Sequence, residues 1–166
     1  YYSRGKAYLG KGDYFMALSD YNYSVTLDPE SSVPYNQRGE YYLQIEDFNN
    51  ALKDFSTAIK LEDNYSEYYY NRAQANESLK KNINAIDDYS KAIDLFPTYY
   101  DAYYSRATLF NKIGNYDKAI NDFQKCIEMY PDYKYPYNNL GWTYFNKKDY
   151  KNAIYYLEKC IELDNT

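Results

Sequence analysis

Polar and apolar residues alternate along this chain with the period of a helix. In one stretch Leu52, Phe55 and Ile59 recur at spacings of three and four, which places them on one face of a helix turned toward a core. The pattern returns every 34 residues, counted from a tyrosine at Tyr1, Tyr35, Tyr69, Tyr103 and Tyr137, with no insertion or deletion. Four residues after this marker stands a small residue (Gly5, Gly39, Ala73, Ala107, Gly141), and at plus sixteen an alanine (Ala17, Ala51, Ala85, Ala119, Ala153). Plus seven is aromatic in four units (Tyr8, Tyr42, Phe110, Tyr144), and plus twenty is Tyr21, Phe55, Tyr89, Phe123 or Leu157. Each unit therefore predicts two helices. The first runs from about one turn before the marker to plus ten, and the second from plus thirteen to plus twenty-seven.

Local signals place the helix ends. Asp13, Asp47, Asn115 and Asp149 stand at plus twelve, where a short acceptor side chain caps the second helix. Pro34 and Pro136 fall where the first helix begins, a place that tolerates a missing N–H. Pro29, Pro97 and Pro131, at plus twenty-eight, end the second helix. Asp63 and Asn165 replace that proline, and Asn76 replaces the plus-seven aromatic. Lys80 and Lys81 stand where other units carry glycine or a capping side chain, so the joint from Leu79 to Asn84 is expected to be the softest in the interior of the array. A polar pair also repeats: Arg4, Arg38, Arg72 and Arg106 at plus three, with Asp20, Asp54, Asp88 and Asp122 at plus nineteen. The fifth unit lacks both, carrying Leu140 and Tyr156. Joint presence and joint loss predict an ion pair between the two helices of one unit.

The period and its bulky, small, aromatic, alanine, aromatic and proline positions resemble the tetratricopeptide repeat. The resemblance covers essentially the whole chain and implies an all-α, right-handed solenoid of stacked antiparallel helix pairs, about ten helices in all. As a single domain it would divide into repeats 1–31, 32–65, 66–99, 100–133 and 134–166. The chain opens without a methionine and inside a helix, as a piece of a longer protein would. The family implies a protein-interaction scaffold without catalytic activity, its partner a protein or peptide. An accessory domain of a larger enzyme and a structural self-assembling array are the alternatives, the latter favoured by apolar Ile154, Leu157 and Ile161 on the last helix.

In this family the first helices line a concave groove, which implies groove positions at plus one, two, five and eight. The peptide-binding candidates are then Tyr2, Lys6, Asn36, Gln37, Glu40, Tyr70, Asn71, Gln74, Tyr104, Ser105, Asn138, Asn139, Trp142 and Phe145. Co-chaperone members hold acidic tails with a lysine, asparagine, asparagine, lysine, arginine clamp across three units, and no frame of this chain matches it. Glu67 and Asp101 put negative charge where that clamp needs lysine. The plus-two amides instead resemble the asparagine ladder of O-linked N-acetylglucosamine transferase, interrupted by Ser3 and Ser105. The expected ligand is an extended or helical peptide of neutral or basic character. Trp142 and Phe145 serve either as ligand anchors or as a seat for a further C-terminal helix.

Composition narrows the chemistry. The net charge is −5 with cations scattered, against a nucleic-acid footprint. No apolar run reaches the roughly 18 residues of a membrane span. There is no histidine, which removes His-based triads and histidine-ligated metal sites, and no cofactor is expected. Cys126 and Cys160, at plus twenty-three beside Ser24, Ala58 and Ala92 of other units, read as packing thiols of a reducing, cytoplasmic compartment. The 27 tyrosines are the compositional oddity, with a codon-biased genome as their plainest source.

Overall fold

The structure, a computed structural model, describes residues 1–164. Asn165 lies outside the described residues. The fold is an all-α solenoid of antiparallel helix pairs: α1 Tyr2–Gly10 with α2 Tyr14–Leu27, α3 Ser32–Gln44 with α4 Phe48–Leu61, and α5 Ser66–Ser78 with α6 Asn82–Leu95, then α7 Tyr100–Lys112 with α8 Tyr116–Met129 and α9 Lys134–Asn146 with α10 Tyr150–Asp164. The chain forms two compact units, Tyr1–Leu95 and Phe96–Thr166. The break falls near the end of the third sequence repeat.

Within the first unit α2 packs on α1 and α3, α4 on α3 and α5, and α6 on α5. First helices also meet directly, α1 with α3 and α3 with α5. The second unit repeats the scheme: α8 touches α7 and α9, and α7 touches α9. The small residues make this approach possible. The alanines at plus sixteen are almost wholly buried, and so are the plus-twenty rings Tyr21, Phe55, Tyr89 and Phe123. At Gly39 an added Cβ would lie 2.6 Å from the Phe55 ring, and at Gly141 2.7 Å from Leu157.

The caps differ by residue. Asp13, Asp47 and Asp149 accept from the backbone N–H of Met16, Asn50 and Asn152 at 3.1 to 3.2 Å. Asn115 occupies the same backbone conformation yet its side chain accepts no capping bond. It offers one neutral carbonyl where aspartate offers two charged oxygens. Pro34 and Pro136 sit in the first turn of α3 and α9, where the N–H has no intrahelical acceptor. The second helix of the second repeat ends at the usual place although Asp63 stands for proline, because Glu62 turns to extended backbone.

The turn between the two helices of a repeat needs a left-handed residue at plus eleven. Gly12 and Gly114 supply it at φ 76° and 80°, but so do Glu46, Lys80 and Lys148 at 60° to 66°. Lys80 is thus one of three strained turns, a correction to its reading as peculiar to repeat three. What does set that joint apart is Lys81, a side chain with donors only, and Asn82, whose Oδ1 is buried without a hydrogen-bond partner. Replacing Lys80→Gly should raise unfolding stability by about 1 kcal/mol, because L-residues resist this region. Denaturant titration would show it as a higher midpoint at unchanged slope; a lower midpoint would mean that the lysine side chain contributes more than the strain removes.

Candidate functional site

In the first four repeats an ion-pair lock joins the two helices of the repeat. Arg38 donates from Nε and Nη2 to the two oxygens of Asp54 at 2.7 and 2.8 Å, and Arg4–Asp20, Arg72–Asp88 and Arg106–Asp122 have the same two-pronged geometry at 2.6 to 2.9 Å. The aspartates are buried. The hydrogen bond from Arg4 holds the Asp20 carboxyl below its usual range, and Asp54 raises the Arg38 guanidinium above its own. The marker tyrosines, whose role the sequence pattern does not disclose, cover these guanidinium groups: Tyr1, Tyr35, Tyr69 and Tyr103 lie 5.2 to 5.9 Å from Arg4, Arg38, Arg72 and Arg106. In repeat three Asn76, 4% exposed, joins the lock by donating to Asp88 at 3.0 Å. The fifth repeat fills the same space with Tyr156, stacked on Tyr144 at 5.5 Å and near Tyr137 at 6.5 Å.

In the first unit, the expected groove positions form a connected polar row. Asn36 donates to Glu40 at 2.9 Å, and Asn71 donates to Asn36 Oδ1 at 3.1 Å and to Glu40 at 3.4 Å. A plus-two amide of one repeat therefore reaches the plus-one amide of the repeat before it. Asn36 and Asn71 are only 6% and 8% exposed, so both are largely engaged within the protein. Gln37, Gln74 and Glu40 are half-buried and Lys6 is exposed. Tyr2 and Tyr70 lean on the core rings Tyr21 and Tyr89 at 6.1 and 5.6 Å, which fixes their orientation, and Gln74 donates to the Tyr70 hydroxyl at 3.3 Å.

Burial pushes the Glu40 carboxyl above the usual glutamate range, and the neighbouring Glu67 charge adds to this, while the Asn36 bond and Lys6 oppose it. The folded state thus disfavours the ionised form. Such a group supports folding below its unfolded pKa, near 4.3, and loses that support as pH rises through its higher folded value. Glu40→Gln keeps an acceptor for Asn36 and should raise the melting temperature at pH 7. The gain should stay below about 1 kcal/mol, since solvent screens the group, and should fade as pH falls past ~4. An equal gain at pH 3 and pH 7 would contradict the electrostatic cause.

In the second unit the row is shorter. Asn139 donates to the Tyr104 hydroxyl at 2.7 Å, again plus two to the preceding plus one, and Tyr104 rests edge-on against Phe123 at 5.8 Å. Ser105 and Asn138 are half-buried on α7 and α9. Trp142 and Phe145 form an edge-to-face pair at 5.5 Å, with Tyr150 a further 5.7 Å from Phe145, and both remain about half exposed. On α10, Ile154 is 58% exposed and Leu157 half-buried. Neither cysteine forms a disulfide. Burial, reinforced by Asp122 and Asp101, pushes the Cys126 thiol up to about 12, which makes it a poor nucleophile.

The 34-residue period does not disclose one cluster of this unit. Tyr100, Tyr130 and Tyr133 meet edge-to-face at 5.1 and 5.9 Å, with Tyr104 stacked 6.0 Å from Tyr100 and Tyr135 5.5 Å from Tyr133. Equivalent places elsewhere carry Ser32, Ser66 and Lys134 in line with Tyr100. The signal available was local tyrosine density over residues 99–104 and 130–137. Among the described residues no helix is long and apolar enough to cross a membrane, and no group of three His, Cys, Asp or Glu is placed to hold a metal ion.

Comparison with known proteins agrees with the helix-pair geometry. Tetratricopeptide repeat family profiles match residues 36–100, 100–133 and 135–166. A search of curated protein sequences returned no match. Among solved structures, MamA aligns at 28% identity and TM-score 0.92 over 97% of this chain and 94% of that one. MamA from Desulfovibrio magneticus RS-1 aligns at 21% identity and 0.90, over 98% and 92% of the two chains. YrrB, described as a TPR protein with an unusual peptide-binding site, aligns at 21% and 0.84, over 96% and 82%. Helix pairs that recur every 34 residues, small residues where they cross and the matching profiles along most of the chain together make this chain a member of the tetratricopeptide repeat family.

Proposed function

We propose that this scaffold holds an extended or helical peptide of neutral or basic character along its first helices. The observation that carries the reading is the side-chain row that recurs in both units. The plus-two amide of one repeat bonds to the plus-one side chain of the repeat before, as in Asn71–Asn36 and Asn139–Tyr104. Asn36 and Asn71 are engaged inside the row, so the half-buried amides beside them, Gln37, Gln74, Asn138 and Asn139, are the ones left to meet a peptide backbone, each such bond being worth on the order of 0.5–1.5 kcal/mol net. Half-buried Tyr70 and Tyr104, braced by core rings, are rigid aromatic anchors of the kind that dominate interface energetics. Glu40, Glu67 and Glu77 face one lysine, Lys6, among these places in the first unit, so an acidic tail meets like charge. The peptide-binding site ascribed to YrrB, a protein of the same fold, is in keeping with this reading.

The test is fluorescence anisotropy with a peptide library at two salt concentrations, on the wild type and on Asn71→Ala, Tyr104→Ala and Asn139→Ala, each first confirmed folded by its melting curve. Neutral or basic peptides should bind, and Tyr104→Ala should weaken them about tenfold. Preferential, salt-sensitive binding of acidic C-terminal peptides that ignores all three substitutions would overturn the proposal.

A further inference from the structure

We propose that the tyrosine pocket at the start of α7 is a subsite for one lysine side chain of a bound peptide. This deepens the peptide-groove reading and rests on it, because Tyr104 belongs both to the groove row and to the pocket wall. Tyr100, Tyr130 and Tyr133 wall a cavity of about 360 Å³, and Tyr104 and Tyr135 extend it by an adjoining lobe of about 200 Å³. Asp101 stands at both and is exposed.

Two features favour an ammonium group over an apolar side chain. A cation is attracted to a tyrosine ring through its quadrupole, an effect that grows as water is removed, and three such rings wall the cavity. The Asp101 carboxylate supplies the counter-charge, and its place in the first turn of α7 offsets the partial positive charge of that helix end, which would otherwise repel the ligand. An ammonium also donates hydrogen bonds to the Asp101 carboxylate, which an alkyl chain cannot. The molecule also contains a precedent: Lys134 Nζ lies 5.8 Å from the Tyr135 ring centroid. That lysine is paired with Asp164, so its charge is already compensated.

The experiment uses the whole chain with tyrosine side chains labelled for NMR, titrated with n-butylammonium and with 1-butanol of nearly equal shape, and then with an alanine-rich peptide carrying one lysine or one norleucine. n-Butylammonium should shift the Tyr130 and Tyr133 ring signals where 1-butanol does not, and the lysine peptide should bind about tenfold tighter than its norleucine twin. Asp101→Asn and Tyr130→Leu, both at exposed positions that leave the core untouched, should each remove that preference. Should neither peptide bind while n-butylammonium still shifts the rings in an Asp101-dependent way, the subsite stands and only the groove reading fails. Equal shifts from 1-butanol, or a lysine preference that survives Asp101→Asn, would sink the subsite while leaving peptide binding by the groove intact.

Discussion

Arg38→Leu or Asp54→Tyr alone is expected to cost roughly 3 kcal/mol, whereas the two together should cost much less than their sum. Arg38→Leu leaves the Asp54 carboxylate, 3% exposed, without its cation, and Asp54→Tyr leaves a guanidinium whose side chain is 19% exposed without its anion. Removing one partner of a buried pair leaves an uncompensated charge, but replacing both by well-packed groups restores a neutral interior. The fifth repeat already holds the neutral solution, Leu140 with Tyr156 stacked on Tyr144 and near Tyr137. Repeat two is the suitable host because Tyr35 and Tyr42 occupy the same places as Tyr137 and Tyr144. Repeat three is not, since there the swap would also strip Asn76 of the carboxylate it donates to. Chemical denaturation of the four proteins gives the cycle, and strict additivity would show that the side chains do not act as a pair.

Gly39→Ala is expected to destabilise the first unit by roughly 1–2 kcal/mol, against the usual direction for glycine in a helix. Helix propensity alone favours alanine by about 1 kcal/mol. The new methyl, however, would stand 2.6 to 2.9 Å from three atoms of the Phe55 ring, which has no exposed surface and cannot swing away. Overpacking of that kind typically costs about 1–3 kcal/mol. Gly5→Ala is the control, because its nearest neighbours lie 3.3 to 3.4 Å away and the propensity gain should nearly balance the contact. If Gly39→Ala melts higher than the wild type, helices α3 and α4 can separate without loss and the tight crossing is not a constraint.

Why the lock was legible in the sequence, while the tyrosine pocket was not, follows from what a repeat exposes to inspection. Positions fixed by helix packing recur, so their covariation can be read within one chain; Arg and Asp are both absent from the fifth repeat, as expected of a pair in which one without the other leaves a buried charge. Helix ends were legible for a similar reason, as an aspartate cap or a proline acts through its own backbone. The left-handed turns at Glu46 and Lys148 were hidden because two glycines in five suggest a preference rather than a requirement. Asn76 read as a gap in the aromatic pattern and is instead a third member of a lock. The amide row needed three dimensions, since its bonds join residues 35 apart on different helices. Tyr100, Tyr130 and Tyr133 sit where the repeats differ, so comparison among repeats discards them as noise.

In repeats two to four each lock closes between residues 16 apart, and its covering tyrosine lies three residues earlier on the same helix. That placement constrains how such a gene can grow. A duplication or deletion of any whole 34-residue block keeps the phase, but a recombined copy is self-sufficient only where the breakpoint lies outside the marker-to-aspartate span. Breaks between Asp54 and Tyr69, for instance, would hand each daughter an intact guanidinium, carboxylate and ring. A break between Arg72 and Asp88 that loses the phase would leave a charge buried with nothing to neutralise it. A change by whole blocks thus leaves every lock closed, whereas a shift of phase opens one.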